Sequence, residues 1–404
     1  MAITDKEKGV WGLDQVYNKI NQGSIWDYDG VSALFAWGIN PAGNNTNIRN
    51  SSPVQVPGTT WDANIGTQSN YASLIVKTNG TLWGWGGNQS GILGQNQNEN
   101  DSNNIYSSPI QIPGTTWKQV SGGVRAAWAV KTDGTLWTWG SNDKGKLAQN
   151  NNEGAYEGYS SPVQIPGTTW QYLSQSGQKT DSRHAFATKT DGTLWTWGLN
   201  QQGECGHNTS APDTWTGISS PKQLPGTTWA TVTGNFFSAT AIKTDGTLWA
   251  WGNNDAGQLG QNNKTKRSSP PQIPGSTWSF VEGGSCAIGT KTDGTLWMWG
   301  QNEIGALGQN NRTDYSSPTQ IPGTTWKITA WGASTRGGEY TSSDQSSAAI
   351  KTDGTLWAWG HNTYGQLGVN NTTSYSSPTQ VLGGDYLNVQ ISAASRKAQA
   401  MLVQ

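Results

Sequence analysis

The chain has 404 residues, of which 13% are charged, 33% are hydrophobic and 24 are tryptophans, and its formal net charge is −1. Disordered chains are poor in aromatic residues and carry high net charge, so this composition indicates a folded protein. The near-neutral charge, with no Lys/Arg cluster, argues against nucleic-acid binding, and no apolar run reaches the roughly 18 residues that a membrane-spanning helix requires.

The first 30 residues lie outside every repeated pattern and are predicted to form an N-terminal arm. Four apolar residues recur at i, i+3, i+4 and i+7 from position 13, which is the spacing of one face of a short helix, and a tryptophan lies on either side of them. The residues predicted to dock a partner are Trp11, Leu13, Val16, Tyr17, Ile20 and Trp26. The helix either packs against its own domain or attaches that domain to a larger assembly. No signal peptide is recognised, so synthesis in the cytoplasm is expected.

A tryptophan-rich repeat fills the rest of the chain. Leu-Trp-x-Trp-Gly occurs six times, and a variant, Leu-Phe-Ala-Trp-Gly at 34–38, precedes these copies. Ser-Ser-Pro occurs seven times and Pro-Gly-Thr/Ser-Thr-Trp six times with the same period, and the tryptophan strings hold 19 of the 24 tryptophans. Short β-prone segments with a period near 50 residues predict a β-propeller or another repeat array.

Each repeat is predicted to contain a tight hairpin and an edge strand. In residues 239–252, two β-prone runs flank a Thr-Asp-Gly turn whose glycine can adopt the left-handed conformation. Trp249 and Trp251 are predicted to face one side of the second strand, and the residues beside them the other side. Because proline cannot donate to a sheet, the Ser-Ser-Pro strand is expected at a sheet edge.

Both ends of the repeat region favour a closed ring. The first repeat lacks its leading strand, since residues 27–30 run directly into the tryptophan string, whereas residues 398–404 have the pattern of that strand. We therefore predict an all-β, seven-bladed β-propeller over residues 31–404 in which about 388–404 complete the first blade. An open solenoid would carry polar caps at both ends instead.

These repeated strings closely resemble the repeats of the regulator of chromosome condensation family. Their sequences are nearly identical from one repeat to the next, which is more similar to the bacterial and phage versions of the repeat. The resemblance covers residues 31–404 and implies a seven-bladed propeller. The founding member is a guanine-nucleotide exchange factor that also binds chromatin, but no segment here matches its inserted β-wedge and no basic tail is present. Separately, residues 5–26 are similar to the leaders of marine bacteriophage structural proteins.

Three connections between repeats are longer than their counterparts, at 175–183, 200–219 and 331–347. Propeller loops of this kind often carry binding residues. The candidates for recognition are Trp215, Trp331, Arg336 and Tyr340.

Nothing in the sequence indicates catalysis, a cofactor or a metal site. The recurrent Asp of Thr-Asp-Gly is typical of a turn residue. His184, His207 and His361 lie in different repeats without metal-ligand spacing, and Cys205 and Cys286 are expected to be small buried thiols. A glycosidase-type pair of carboxylates could form across two loops, although no particular pair is indicated. We therefore expect no catalytic residues, no cofactor and no metal.

The function expected from these observations is that of a non-enzymatic structural protein of a bacteriophage virion. The arm would attach the propeller to another virion protein of the capsid or tail, and the loops would decorate the particle or contact a host-surface glycan or protein. Neither nucleic-acid binding nor membrane insertion is expected. The alternatives are a regulatory propeller of guanine-nucleotide-exchange type and a free carbohydrate-binding propeller, which would not need residues 1–30.

Overall fold

The repeats fold into antiparallel sheets of four strands. The computed structural model describes residues 34–38, 43–45, 50–58, 60–68, 72–97, 105–154, 157–174, 183–210, 217–234, 237–327, 333–334, 345–363, 367 and 369–381. Within these ranges the secondary structure is almost entirely β, and no described helix is long and apolar enough to cross a membrane. The predicted arm helix and the predicted closing strand at 388–404 both lie outside the described residues.

Seven sheets follow one another along the chain, one with two described strands and six with four. Sheet 1 contains β1 (Phe35–Gly38) and β2 (Asn50–Gln55), and sheet 2 contains β3 (Trp61–Gln68), β4 (Ala72–Lys77), β5 (Leu82–Gly87) and β6 (Ile105–Ile112). Sheet 3 contains β7 (Trp117–Gly123), β8 (Ala126–Lys131), β9 (Leu136–Ser141) and β10 (Gly158–Ile165), and sheet 4 contains β11 (Trp170–Leu173), β12 (His184–Lys189), β13 (Leu194–Leu199) and β14 (Gly217–Gln223). Sheet 5 contains β15 (Trp229–Gly234), β16 (Ser238–Lys243), β17 (Leu248–Gly252) and β18 (Gln272–Ile273), and sheet 6 contains β19 (Trp278–Glu282), β20 (Cys286–Lys291), β21 (Leu296–Gly300) and β22 (Tyr315–Ile321). Sheet 7 contains β23 (Ala333–Ser334), β24 (Ser346–Ile350), β25 (Leu356–Gly360) and β26 (Tyr375–Gln380), and two short 3-10 turns lie at Gln89–Gly91 and Asp143–Gly145.

The Thr-Asp-Gly hairpin forms as predicted. In sheet 3, Lys131 donates its backbone N–H to the carbonyl of Thr135 at 3.0 Å, and Gly134 donates to the carbonyl of Lys131 at 3.0 Å. Gly134 has φ +77°, a conformation that residues with a Cβ adopt at a cost. The same turn recurs in sheets 2 to 7, with glycine φ values of +76° to +80°.

The Ser-Ser-Pro strand lies at the edge of its sheet, also as predicted. In sheet 3, Tyr159 pairs with Gly140 and Val163 pairs with Thr138, so the edge strand has more residues than its partner between the two pairs. This bulge contains Pro162, which has no N–H to contribute to the ladder. The bulge leaves serine carbonyls available to the neighbouring sheet.

The tryptophan-rich strands of sheets 2 to 6 pack against both neighbouring sheets. On β17, Trp251 lies in a buried cluster with Phe186 of sheet 4, whereas Leu248 and Ala250 lie in a cluster with Trp299 of sheet 6. The predicted alternation of side chains along this strand is therefore confirmed. The strand β17 therefore joins sheet 5 to sheets 4 and 6 through two apolar layers.

In sheets 3 to 7, the second tryptophan of the string also ties its sheet to the one before it by a hydrogen bond. Its indole N–H donates to a backbone carbonyl in the preceding sheet's third-to-fourth-strand loop, so a large buried side chain has its polar group satisfied. The pairs are Trp139 to Ile92 (2.7 Å), Trp197 to Lys146 (2.9 Å), Trp251 to Glu204 (2.7 Å), Trp299 to Gln258 (2.9 Å) and Trp359 to Ala306 (2.8 Å).

A second link runs from an asparagine in the loop before the Ser-Ser-Pro strand of one sheet to the first serine of Ser-Ser-Pro in the next sheet. The asparagine has φ between +55° and +64° and donates its backbone N–H to the serine carbonyl. The pairs are Asn45 to Ser107, Asn96 to Ser160, Asn150 to Ser219, Asn208 to Ser268, Asn262 to Ser316 and Asn310 to Ser376. These links connect sheets 1 to 7 in order.

Candidate functional site

The antiparallel strands give each sheet two ends with different chemistry. At one end, called the turn face, lie the Thr-Asp-Gly hairpins and the Pro-Gly-Thr-Thr turns between sheets. At the other end, called the loop face, lie the connections from first to second strand and from third to fourth strand. Both kinds of loop-face connection vary in length, and the described residues that flank 175–182 and 211–216 lie on this face.

The turn face repeats one hydrogen-bonded unit from sheet 2 to sheet 7. In sheet 3, the Trp137 indole N–H donates to the Thr135 hydroxyl at 2.9 Å, and that hydroxyl donates to a carboxylate oxygen of Asp133 at 2.7 Å. Asp133 also accepts the backbone N–H of Thr135, and the Thr135 side-chain hydrogen bond is the largest cause of the lowered pKa of Asp133. The predicted turn role of this aspartate is confirmed.

A lysine lies over two tryptophan rings in each of these units. Lys131 Nζ is 4.7 Å from the ring centroid of Trp117 and 4.6 Å from that of Trp137, and the two rings meet edge to face with centroids 6.4 Å apart. Such cation–π contacts stabilise the fold modestly. The equivalent lysines are Lys77, Lys189, Lys243, Lys291 and Lys351. Because nearly the same side chains recur in sheets 2 to 7, the turn face is best explained as packing.

The loop face differs, because one buried group of charged residues departs from the repeat. Lys146 is fully buried, and its ammonium donates to the carbonyl of Val124 at 2.6 Å and contacts Asp143. The equivalent positions in sheets 2, 4, 5 and 6 hold, in order, an isoleucine, a glutamate, a glutamine and an alanine. Asp143 also accepts a hydrogen bond from the Ser141 hydroxyl at 2.9 Å.

Two arginines lie beside this pair. Arg183 Nε is 3.9 Å from a carboxylate oxygen of Asp143, and its side chain is 26% exposed. Arg125 Nε donates to the side-chain oxygen of Gln89 in sheet 2 at 3.3 Å. We call Arg125, Asp143, Lys146 and Arg183 the basic cluster. It brings together loops of sheets 3 and 4 next to sheet 2.

The buried Lys146–Asp143 pair remains ionised at neutral pH. Burial lowers the pKa of Lys146 to about 8, opposed by the charge and hydrogen bond of Asp143, while the charges of Arg183 and Arg125 lower it further. Burial pushes the pKa of Asp143 upward, but Lys146, the Ser141 hydrogen bond and Arg183 outweigh burial and hold it below its ordinary value. Lys146 and Asp143 therefore both carry their charges near pH 7.

The three histidines lie in separate environments. His184 is fully buried against Phe186, with ring centroids 5.1 Å apart, and neither ring nitrogen has a hydrogen-bond partner among the described residues. Burial lowers its pKa to about 3, so the ring is neutral. The pKa of His207 is lowered to about 4, again mainly by burial, and its ring lies 2.9 Å from the Thr196 hydroxyl. His361 lies 2.7 Å from the hydroxyl of Thr363. In the described part of the chain no three His, Cys, Asp or Glu side chains are grouped as metal ligands.

Glu204 is a second buried charged position on the loop face. Its carboxylate accepts the backbone N–H groups of Gln201 (3.0 Å) and Gln202 (2.6 Å), but burial dominates and raises its pKa to about 7. Cys205 and Cys286 are buried thiols, as predicted. Burial, followed by the Glu204 charge, raises the pKa of Cys205, so this thiol is protonated and unreactive.

The residues predicted from the sequence as sites all lie outside the described residues. They are Trp11, Leu13, Val16, Tyr17, Ile20 and Trp26 in the arm, and Trp215, Trp331, Arg336 and Tyr340 in the loops. Sequence inspection overlooked the basic cluster. It was detectable because the position of Lys146 holds other residue types in the other repeats, and because arginine precedes the second strand in sheets 3 and 4 but not in sheets 5, 6 and 7.

A family model for the regulator of chromosome condensation (RCC1) repeat matches six segments of the chain, residues 79–130, 133–174, 191–234, 245–286, 293–337 and 353–396. The chain belongs to the RCC1 repeat family. The matched segments cover most of the described sheets and begin at or near the Thr-Asp/Asn-Gly turn, so the family repeat is offset from the four-stranded sheet.

Known RCC1-type proteins share part of the sequence. The chain is 28% identical over 254 residues to the RCC1 domain-containing protein RUG3, mitochondrial, of Arabidopsis thaliana, covering 59% of this chain and 52% of the relative. It is 27% identical over 192 residues to the human E3 ubiquitin-protein ligase HERC2, covering 46% of this chain and 4% of the ligase. The chain thus spans about half of the length of RUG3 and 4% of the length of HERC2.

Solved RCC1-type structures share the fold. Yeast RCC1 (Prp20), solved bound to Kap60, aligns with a TM-score of 0.68 and 16% identity over 92% of this chain and 88% of its own. Human WBSCR16 aligns with a TM-score of 0.66 and 18% identity over 92% of this chain and 98% of its own. The fold is therefore that of an RCC1-type β-propeller.

Proposed function

We propose that this protein is a non-enzymatic structural protein of a bacteriophage particle: a propeller attached by its N-terminal arm, with its loop face exposed to a partner. The observation that carries the binding role is the contrast between the two faces. The turn face repeats nearly the same unit in sheets 2 to 7, whereas charged substitutions such as Lys146 and Arg183 occur on the loop face. Function on a propeller scaffold resides in what departs from the repeat.

The scaffold we propose has seven blades closed into a ring. Six asparagine-to-serine links join sheet 1 to sheet 7 in sequence, and Asn370 of sheet 7 has the same left-handed φ, +58°. The matching serine of sheet 1 is Ser51, the first residue of the first Ser-Ser-Pro. A seventh link from Asn370 to Ser51 would close the ring.

Ring closure is tested by paired cysteines. Asn310→Cys with Ser376→Cys joins a pair already linked by a hydrogen bond and serves as the positive control. Asn370→Cys with Ser51→Cys should form a disulfide as readily, because a closed ring brings the two backbones within cross-linking distance. An open array would cross-link the control pair alone.

The similarity of residues 5–26 to marine bacteriophage leaders supports the location on a particle. In this proposal the apolar residues of the arm contact a capsid or tail protein, and the ring is displayed to a host-surface glycan or protein. A regulatory propeller of guanine-nucleotide-exchange type, or a free carbohydrate-binding propeller, would instead act without a particle.

The location is tested by mass spectrometry of density-gradient-purified particles of the phage that carries the gene. The proposal predicts peptides from this chain at constant ratio to the capsid protein through repeated purification. Loss of the chain during purification, while capsid and tail proteins remain, would favour the regulatory or free carbohydrate-binding alternative.

A further inference from the structure

The basic cluster differs from the equivalent places in sheets 5, 6 and 7 by its two arginines and its buried lysine. The residue before the second strand is Arg125 in sheet 3 and Arg183 in sheet 4, but Phe237, Ser285 and Gln345 in sheets 5, 6 and 7. Both arginines are partly exposed at the loop face, and the buried Lys146–Asp143 pair lies beneath them. The two arginines therefore belong to one local surface.

The backbone around the cluster is held in costly conformations. Arg125 has φ +54° and Lys144 has φ +66°, although both residues carry a Cβ. Left-handed residues are uncommon outside Gly, Asn and Asp. The sheet 2 equivalent of Lys144, Ser90, has the same conformation, whereas among the described residues that precede a second strand only Arg125 has it. Lys146 fixes the Arg125 turn by bonding the carbonyl of Val124, and Ser141 fixes it again by donating its backbone N–H to the carbonyl of Arg125 at 2.7 Å. Two hydrogen bonds thus hold the turn that carries Arg125.

The charge of the cluster favours an anion. Arg125, Lys146 and Arg183 contribute three positive charges and Asp143 one negative charge, so the four side chains sum to +2 in a chain with a net charge of −1. Glu153 and Glu157, in the same loop, bond within that loop, to Asn151 and to the N–H of Gly154. Arginine is suited to carboxylates because its planar guanidinium matches their two oxygens.

The surface around the cluster favours a hydrated ligand over a protein partner. Among the described residues the large exposed hydrophobic side chain is Ile105, at 40%, on the edge strand of sheet 2. Protein–protein interfaces have an apolar, aromatic-rich centre, whereas this face is rich in Asn, Gln, Ser and Thr. An acidic polysaccharide supplies both carboxylates and hydroxyl groups.

From this arrangement we infer that Arg125 and Arg183 form a binding site for the carboxylate groups of an acidic polysaccharide, with Lys144 at its edge. Lys146 acts as a positioning residue that keeps the two loops in place. This inference deepens the proposed function, because it names the chemistry of the surface that a displayed propeller would contact, and it rests on that function for its biological setting.

The test measures binding of oligogalacturonate to the full chain by isothermal titration calorimetry at low and high salt. The variant Arg125→Gln/Arg183→Gln should bind roughly tenfold or more weakly, because two charge-assisted hydrogen-bonding groups are lost. The matched control Arg267→Gln/Arg312→Gln removes the same charge from exposed positions of the same face and should bind like the wild type. High salt should weaken wild-type binding.

Three outcomes would overturn the inference. The first is the absence of wild-type binding at low salt, and the second is an equal loss in both double variants, which would indicate attraction to net charge alone. The third is binding of poly-L-glutamate but not oligogalacturonate, which would make the ligand an acidic peptide. Circular dichroism of each variant confirms that it is folded. Because the assay uses purified protein, its result is independent of whether the chain is found on particles.

Discussion

Replacement of Glu204 by glutamine should destabilise the protein at pH 5 and stabilise it at pH 8. The Glu204 carboxyl is fully buried at the junction of sheets 4 and 5, where its backbone carbonyl accepts the Trp251 indole N–H at 2.7 Å. Its pKa is raised from 4.5 to about 7, mainly by burial. The folded state therefore binds a proton more tightly than the unfolded state, and the stability that this provides is present below pH 4.5 and lost as the pH rises through 7.

The structure sets the size of both opposing effects. A pKa raised from 4.5 to about 7 corresponds to about 3 kcal/mol of unfolding free energy lost between those pH values. Glu204→Gln removes this loss because an amide does not ionise. The amide has one acceptor oxygen, however, and the N–H groups of Gln201 and Gln202 both point at the carboxylate, so the variant loses about 1–2 kcal/mol at every pH.

The assay is equilibrium urea denaturation of the wild type and Glu204→Gln across pH 5 to 8. The variant should be less stable by about 1 kcal/mol at pH 5 and more stable by about 1–2 kcal/mol at pH 8. Glu303→Gln, at an exposed position of the equivalent loop in sheet 6, is the matched control and should show no such trend. A stability difference between Glu204→Gln and wild type that stays constant with pH would refute the reasoning.

Three further substitutions test other buried contacts, each by urea or thermal denaturation. His184→Ala should make the unfolding free energy less sensitive to acid. The pKa of His184 is lowered to about 3, so the wild type loses stability as the pH falls from 6.5 toward 3. The same loss of unfolding free energy with falling pH in the variant would count against this explanation. Trp139→Phe should cost about 1–3 kcal/mol by leaving the Ile92 carbonyl without its indole donor, a cost that an unchanged urea midpoint would exclude. Asn302→Ala should cost about 2–4 kcal/mol, because this buried amide bonds the carbonyls of Asn311 and Thr313 and the N–H of Leu307, whereas Asn311→Ala should cost less.

The periodic features of the fold were predictable from the sequence because they depend on local chemistry. The Thr-Asp-Gly turn requires a glycine with positive φ, and Gly134 supplies it. Proline excludes Ser-Ser-Pro from the centre of a sheet, and β10 lies at the edge. The alternation of Trp249 and Trp251 with their neighbours followed from the twofold period of a strand.

Contacts between distant repeats were not predictable in the same way. Nothing in the string Leu-Trp-x-Trp-Gly indicates that Trp251 donates to the carbonyl of Glu204, 47 residues earlier, because a backbone acceptor leaves no trace in residue identity. The basic cluster joins Asp143 to Arg183 across two sheets for the same reason. What the sequence did contain was the departure of single positions, such as Lys146, from an otherwise uniform repeat.

The central claim, that the arm attaches a displayed propeller to a phage particle, is tested most directly by co-sedimentation of the full chain with particles that lack it. Leu13→Asp/Ile20→Asp places two negative charges on the predicted apolar face of the arm, and the control Gln15→Glu/Asn18→Asp adds the same charge outside that set of apolar positions. The account predicts that wild type and control sediment with the particles and that Leu13→Asp/Ile20→Asp stays in the supernatant while its propeller remains folded. Equal sedimentation of all three chains, or sedimentation of none, would contradict it.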